Sequence, residues 1–218
     1  MTGGPVGDWQ VERRHGSAAD LHALDWPDPL VRTVWILDVD APALVLGSTQ
    51  ATDDIDLEQL SRSGFELARR RSGGGAVLLE PDGSVWIDVF IPRGDPRWHD
   101  DLRRSFTWLG QAWVASLIDL GMQTGMVHDG GLVGGQCGRQ VCFAGIGPGE
   151  VTIGGVKVVG LSQRRTRVGA RFQCVVYRAY DPAPVAALPD VVPSELPPVL
   201  VVDRPAAAIE SALLRHLS

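Results

Sequence analysis

The sequence predicts an α+β fold, a mixed and mainly antiparallel sheet with helices packed on it. Three observations predict it. Short runs rich in β-branched and aromatic residues recur along the chain, as in Val31–Leu37 and Val85–Ile91, and such residues suit a pleated, half-buried surface. These runs do not alternate regularly with helical patterns, as a parallel βαβ sheet requires. Turn chemistry joins neighbouring runs at Pro81-Asp82-Gly83 and at Gly154-Gly155, where proline presets the turn and glycine accepts positive φ.

The elements follow in order. Residues 1–14 read as a frayed start. Ser17–Leu24 is a short helix with Ser17 as N-cap, stopped by Pro27 and Pro29. Val31–Leu37, with Trp35, is a strand, Asp38–Pro42 a turn, and Ala43–Gly47 a second strand closed by Ser48-Thr49-Gln50. Asp56–Ser63 is a short helix ended near Gly64. Phe65–Arg71 runs as a strand into Gly73-Gly74-Gly75, and Ala76–Leu79 and Val85–Ile91 form a hairpin about Pro81-Asp82-Gly83. Asp100–Leu120 is the longest helical pattern. There Leu102, Phe106, Leu109, Trp113, Leu117 and Leu120 recur at three- and four-residue spacing as a buried stripe, ended by Gly121. Gly130–Gly149 is glycine-rich. Glu150–Ile153 and Val156–Leu161 make a hairpin about Gly154-Gly155. Phe172–Tyr177 is a further strand, residues 181–204 are proline-rich and mostly extended, and Ala206–Leu217 is a closing helix.

The 218 residues, 44% of them hydrophobic, read as one soluble domain spanning 1–218. Apolar runs such as Ala43-Leu44-Val45-Leu46 are too short to cross a membrane, which takes about 20 residues. Met1-Thr2-Gly3-Gly4-Pro5 lacks the basic start and apolar stretch of a secretory signal. Three cysteines cannot all pair within one chain, and cytosolic thiols stay reduced, so the expected location is the cytoplasm. A net charge of −6 argues against general nucleic-acid binding. Yet Arg69, Arg70 and Arg71 precede the glycine loop, and Arg164, Arg165, Arg167 and Arg171 follow the lysine hairpin. If both segments line one cleft, it is electropositive.

Two segments carry chemistry. Arg70-Arg71-Ser72-Gly73-Gly74-Gly75-Ala76-Val77 is a glycine loop that follows a strand. It lacks the Gly-Lys-Ser/Thr ending of a phosphate loop and the spaced glycines of a dinucleotide fingerprint. It is a tight strand connection or a place where backbone approaches a ligand. In Gly155-Val156-Lys157-Val158-Val159-Gly160-Leu161-Ser162-Gln163 stands the chain's single lysine. Such a lysine either snorkels from its hairpin or is buried and paired with an anion. Cys142 is a small buried hydrophobe or a nucleophile that forms a thioester. Cys137 and Cys142 have no second pair or nearby His to complete a zinc site, so no metal is expected. His128 and Asp129 could form an acid–base pair, but adjacent residues in a loop rarely face one another.

Taken together, these motifs resemble the catalytic domain of lipoate–protein ligases and octanoyltransferases and, more distantly, of biotin ligases. The resemblance covers roughly residues 31–178. It rests on the loop Arg70 to Val77 with Asp82 and Gly83, on Trp35 with Pro42 to Gln50, on Lys157, Gly160 and Gln163, and on the pair Cys142-Phe143. It implies a biotin/lipoate ligase-like, class II synthetase-like fold. It implies Lys157 and Cys142 as catalytic residues, and Arg70, Arg71, Ser72, Gly73, Gly74, Gly75, Ala76, Gln50, Gly160, Ser162 and Gln163 as substrate-binding residues. The implied activity is attachment of a lipoyl or octanoyl group to a carrier-domain lysine. A ligase would use ATP and Mg²⁺ to make an acyl-adenylate from lipoate or octanoate. A transferase would need no cofactor and take octanoyl from acyl carrier protein through a Cys142 thioester. A non-catalytic acyl- or carrier-binding homologue is the third reading. Gly169-Ala170-Arg171-Phe172 stands where the family often has a His-Gly step, and Ser17–Leu24 keeps little of its usual Asn-Met-Ala-x-Asp-Glu helix. About 40 residues follow the last matched strand, too few for the accessory domain many ligases carry. That favours a transferase or a separate accessory protein.

Overall fold

The described residues, 7–53 and 55–217 of a computed structural model, form two sheets. In chain order the first elements are β1 (Gln10–Gly16), α1 (Ala18–Ala23), β2 (Thr33–Val39), β3 (Ala43–Leu46), α2 (Leu57–Arg62), β4 (Glu66–Arg69), β5 (Val77–Leu79) and β6 (Ser84–Pro92). Then come α3 (Thr107–Asp119), β7 (Met126–Val127), α4 (Gly135–Gln140), β8 (Val151–Ile153), β9 (Val156–Arg165), β10 (Gly169–Tyr177) and α5 (Ala206–His216). The large sheet has the order β1-β2-β6-β10-β9-β8-β7, and the small one β4-β3-β5. In the large sheet only β1 and β2 run parallel. This is the predicted mixed, mainly antiparallel α+β architecture.

Strand alternation builds a core on each face of the large sheet. Val34, Ile36, Ile87, Val89, Phe172 and Cys174 face α3 and α5, where Leu109, Trp113, Leu117, Ile209 and Leu213 cover them. Trp35, Leu37, Trp86, Phe90 and Val175 face the small sheet and meet Leu44, Leu46, Leu78, Leu79 and Phe143. Burial on both faces explains why Val34-Trp35-Ile36-Leu37 of β2 is apolar at every position rather than at alternate ones. Each fully buried large side chain contributes about 1.5–3 kcal/mol. The site described below lies in the second core, between the sheets.

Four expectations change. Residues 10–16 are strand β1, not a frayed start, because Gln10–Gly16 pairs with Thr33–Val39 in parallel and Trp9 Nε1 donates to Leu217 O (3.0 Å). Residues 1–6, and with them the reading of Met1 to Pro5, lie outside the described residues. The Pro81-Asp82-Gly83 turn does close, with Ser84 N donating to Glu80 O, but its strands part. β5 pairs with β3, while β6 pairs with β10 along its whole length and with β2. A β5–β6 hairpin would forfeit that longer pairing. Leu102 is 60% exposed rather than part of the stripe. Asp101 Oδ1 accepts the Arg103 and Arg104 N–H groups, which starts a 3-10 turn, and α3 begins only at Thr107. Finally, Gly135–Gln140 within the glycine-rich segment is helical. Elsewhere the expected helix at residues 17–24 forms as α1, with Ser17 Oγ accepting from Asp20 N (3.1 Å).

Candidate functional site

The glycine loop is organised from below by Arg70. Its guanidinium is buried and donates to Val45 O (3.3 Å), Gly73 O (2.8 Å) and Gly75 O (2.8 Å). Planar, multidentate donation of this kind is what Arg supplies and Lys does not. Two glycines are required by close approach. A Cβ on Gly47 would stand 1.9 Å from Gly74 O, and one on Gly75 would stand 2.8 Å from Cys142 N. Gly74 adopts φ +100°, a region L side chains rarely occupy. The loop is then clamped to a distant segment, as Ala76 N donates to Gln140 O (2.7 Å) and Cys142 N to Ala76 O (2.8 Å). Gln50 ties the same two segments. Its Oε1 accepts from Gly47 N (2.9 Å) and its Nε2 donates to Gln140 O (3.0 Å).

The lysine hairpin turns on Gly154 and Gly155, both at positive φ, and a bulge at Val151/Thr152 re-aims its strands. Lys157 is 3% exposed. Its Nζ lies 2.7 Å from Glu150 Oε1 and donates to Cys142 O (2.7 Å) and Gly145 O (3.1 Å). It stands 3.5 Å from Cys142 Sγ and 4.6 Å from the Phe143 ring centre. Burial works against its charge, but Cys142 and Glu150 outweigh burial and leave its pKa above the ordinary lysine value. Of the two sequence readings, the lysine is therefore buried and paired. Gly160 makes room for this arrangement, since a Cβ there would lie 2.8 Å from Phe143 Cε2.

Two cavities meet at Cys142. The outer one, about 370 Å³, is lined by Gly73, Gly74, Gly75, Arg70, Arg139, Cys142, Glu150 and Ser162, among others. The inner one, about 30 Å³, runs past Cys142, Phe143 and Gly160 to Val77, Leu79, Trp86, Val175, Gln173 and His22. Ser72, Ser162 and Gln173 join across its wall. Ser72 Oγ donates to Gln173 Oε1 (2.6 Å) and lies 3.0 Å from Ser162 Oγ.

The structure thus brings together Lys157, Cys142, Arg70, Ser72, Gly73, Gly74, Gly75, Gly160 and Ser162. Ala76 and Gln50 hold the loop from behind, and Arg71 is exposed. Gln163 turns to the opposite face, where its Oε1 accepts from Ser105 Oγ (3.3 Å) and Arg165 Nε (3.0 Å). Cys174 lies in the α3-side core, where burial pushes its thiol up. The flanking arginines do gather, since Arg164 stands near enough to Arg71 and Arg171 for burial and their charges to lower its pKa. Arg171 pairs with buried Asp88 (2.6 Å), Arg165 donates to His99 O and Asp100 O, and Arg69 to Gly47 O. Arg164 lies over the Trp26 ring at 5.9 Å. These arginines have short-range partners of their own. His128 Nε2 lies 2.8 Å from Gly131 O.

Glu150, His22 and Gln173 were not singled out from sequence. Glu150 precedes Lys157 by seven residues across a two-glycine turn, and that hairpin spacing is a signal for the pair. His22 offered none beyond its place on a short helix.

The fold is that of the biotin and lipoate protein ligase catalytic domains. The structure of a T. acidophilum protein assigned as a lipoate protein ligase, with bound lipoic acid, matches with a TM-score of 0.71 at 19% identity, covering 97% of this chain and 84% of that one. A lipoate-protein ligase A bound with ATP matches at 0.68 and 17% identity, covering 97% and 84%. At this identity the likeness speaks for the fold. The sequence itself matches the lipoyl protein ligase A/B catalytic domain over residues 21–195, and the chain belongs to that family. Octanoyltransferase LipM of Moorella thermoacetica is 34% identical over 130 residues, 57% of this chain and 45% of that protein. The chain spans about half the length of the curated relatives it matches.

Proposed function

We propose that this chain passes an octanoyl or lipoyl group to a lysine of a lipoyl carrier domain through a thioester on Cys142. The observation that carries this reading is the 3.5 Å approach of Lys157 Nζ to Cys142 Sγ at the meeting point of the two cavities. The Cys142 sulfur attacks the thioester carbonyl of an acyl carrier protein donor. The tetrahedral intermediate collapses, the donor thiol leaves with the proton, and the acyl group stays on Cys142. The amine of the carrier-domain lysine then attacks this carbonyl, an amide forms, and Cys142 regains its proton. Splitting the transfer in this way replaces one difficult step by two easier ones. In each half, negative charge develops on the carbonyl oxygen. The Lys157 ammonium stands beside this carbonyl, and one of the N–H groups that now go to Glu150, Cys142 O and Gly145 O would turn to the developing oxyanion. The name octanoyltransferase LipM of the curated relatives supports transfer of an octanoyl group.

The adenylating route with ATP and Mg²⁺ draws support from the ATP-bound ligase of like fold. The residues here fit it less well. The outer cavity is lined by two arginines; Arg70 is committed to three carbonyls, and the acid Glu150 lines the same space. A triphosphate needs positive charge there. The test is intact-mass spectrometry of the chain with octanoyl acyl carrier protein and a lipoyl domain. The expected result is an octanoyl adduct that Cys142→Ser loses, followed by an acylated carrier. Carrier acylation from lipoate and ATP that survives in Cys142→Ser would overturn the thioester reading for adenylation with a separate accessory protein as a further partner. Binding of the acyl group without any carrier modification would leave a non-catalytic homologue.

A further inference from the structure

In the wall of the inner cavity, which Cys142 also lines, lies a buried imidazole with one nitrogen unsatisfied. His22 is 5% exposed, lines the cavity and stacks on Trp86 at 4.2 Å. Its Nδ1 lies 3.3 Å from Gln173 Nε2, and its Nε2 has no hydrogen-bond partner.

The surrounding network fixes which nitrogen carries the proton. Asp88 accepts from Arg171 Nε (2.6 Å) and Trp86 Nε1 (2.7 Å), so both its oxygens act as acceptors. Gln173 also stands beside Asp88 and favours its charged form. An amide facing a carboxylate presents its NH₂, and that end of Gln173 is the one at His22 Nδ1. Ser72 Oγ meets the carbonyl end of the amide, as this orientation requires. His22 Nδ1 is therefore an acceptor. Burial, with the charges of Arg171 and Arg70, pushes the His22 pKa well down, so the ring is neutral and its proton sits on Nε2. A buried N–H without an acceptor is costly. Val77, Leu79, Phe143 and Val175 make much of the same wall apolar, and its other polar members Arg70, Ser162 and Gln173 are already hydrogen-bonded.

We propose that His22 is a specificity-determining residue, whose Nε2–H donates to a sulfur or oxygen carried along the acyl chain, so that the site prefers acyl groups bearing such an acceptor over a plain alkyl chain of equal length. The assignment rests on the reading that the acyl group of the Cys142 thioester occupies the inner cavity. Mixed cavities of this kind bind through apolar walls and discriminate through a few placed polar groups. A site that offers a donor penalises the ligand that leaves it unpaired.

The test is a competition. Octanoyl and lipoyl thioesters of one carrier thiol are supplied in equal amounts, and the adducts on Cys142 are counted by intact mass. A second pair sets octanoyl against 8-hydroxyoctanoyl, which separates sulfur from oxygen acceptors. The wild type is expected to favour at least one acceptor-bearing chain by about tenfold, the worth of one buried hydrogen bond. In His22→Phe and His22→Leu, with folding checked by thermal unfolding, the ratio should fall to about one. His22→Gln, which returns an N–H donor, should recover part of it. A wild-type ratio near one for both pairs, or an unchanged ratio in a folded His22→Phe or His22→Leu, overturns the proposal. If no donor acylates Cys142, the thioester reading fails by itself. Calorimetric binding of lipoate, 8-hydroxyoctanoate and octanoate then decides the His22 assignment by the same ratios.

Discussion

Replacing Lys157 by alanine should cost the protein stability as well as transfer activity. The ammonium it removes is the partner of Glu150, whose Oε1 it approaches at 2.7 Å in a site where both groups are nearly inaccessible. Removing one member of a buried pair strands the other, at a typical cost of about 3–5 kcal/mol. Glu150 would keep two donors, Leu161 N (3.1 Å) and Gly147 N (2.6 Å), which moderates the loss. The expected deficit is thus about 3 kcal/mol, the lower end of that range. Denaturant unfolding of wild type and Lys157→Ala at pH 7 reads this directly. A variant within about 1 kcal/mol of wild type at pH 7 would refute the buried-pair argument. Carrier acylation should fall about 10²–10³-fold, as for loss of one oxyanion donor. Lys157→Ala/Glu150→Gln separates the two effects: stability should return most of the way while transfer stays low. Recovery of transfer in the double variant would refute the electrostatic role.

Cys142→Ser should abolish the acyl adduct seen by mass spectrometry, and an adduct found on Cys137 or Cys174 instead would assign the wrong thiol. Gly75→Ala should impair adduct formation more than it lowers the unfolding midpoint, because the new Cβ would meet Cys142 N at 2.8 Å; normal acylation would show that the loop does not position that residue. The depressed pKa of His22 predicts a pH dependence of stability. Below about 6.5 the unfolded chain takes up a proton that folded His22 refuses, so stability falls with pH by up to about 1.4 kcal/mol per unit until the folded group titrates. His22→Phe should lack this component, and identical pH slopes between 7.5 and 5.5 for the two proteins would refute neutral burial.

Much of the fold was legible because its signals are local. The turn Gly154-Gly155, the Ser17 cap and the apolar spacing of α3 each specify their own element within a few residues. What was not legible depends on partners far along the chain. β1 carries Glu12, Arg13 and Arg14 in a row, so its period is hidden, and it is a strand because β2 offers it an edge. The Pro81-Asp82-Gly83 turn resembles a hairpin turn locally, yet β6 finds its longer partner in β10, beyond α3 and the glycine-rich segment. Local chemistry names a turn, and only the whole sheet decides which strands it joins.

The same distinction separates the parts of the site. Lys157, Cys142 and the triple glycine stand out as residue types, and the geometry puts them together through contacts that no spacing reveals, such as Ala76 with Gln140 and Cys142. The flanking arginines show the same division. Those of the glycine loop and of the lysine hairpin come near one another, and Arg71 and Arg171 lower the pKa of Arg164, while Arg70 and Arg171 are each tied to groups of their own. Arg70 holds the glycine loop and Arg171 holds Asp88, which in turn orients Gln173 against His22. The same guanidinium groups thus order the polar side chains around the two cavities. Lys157, joined to its own carboxylate, is the cation in direct contact with the Cys142 sulfur.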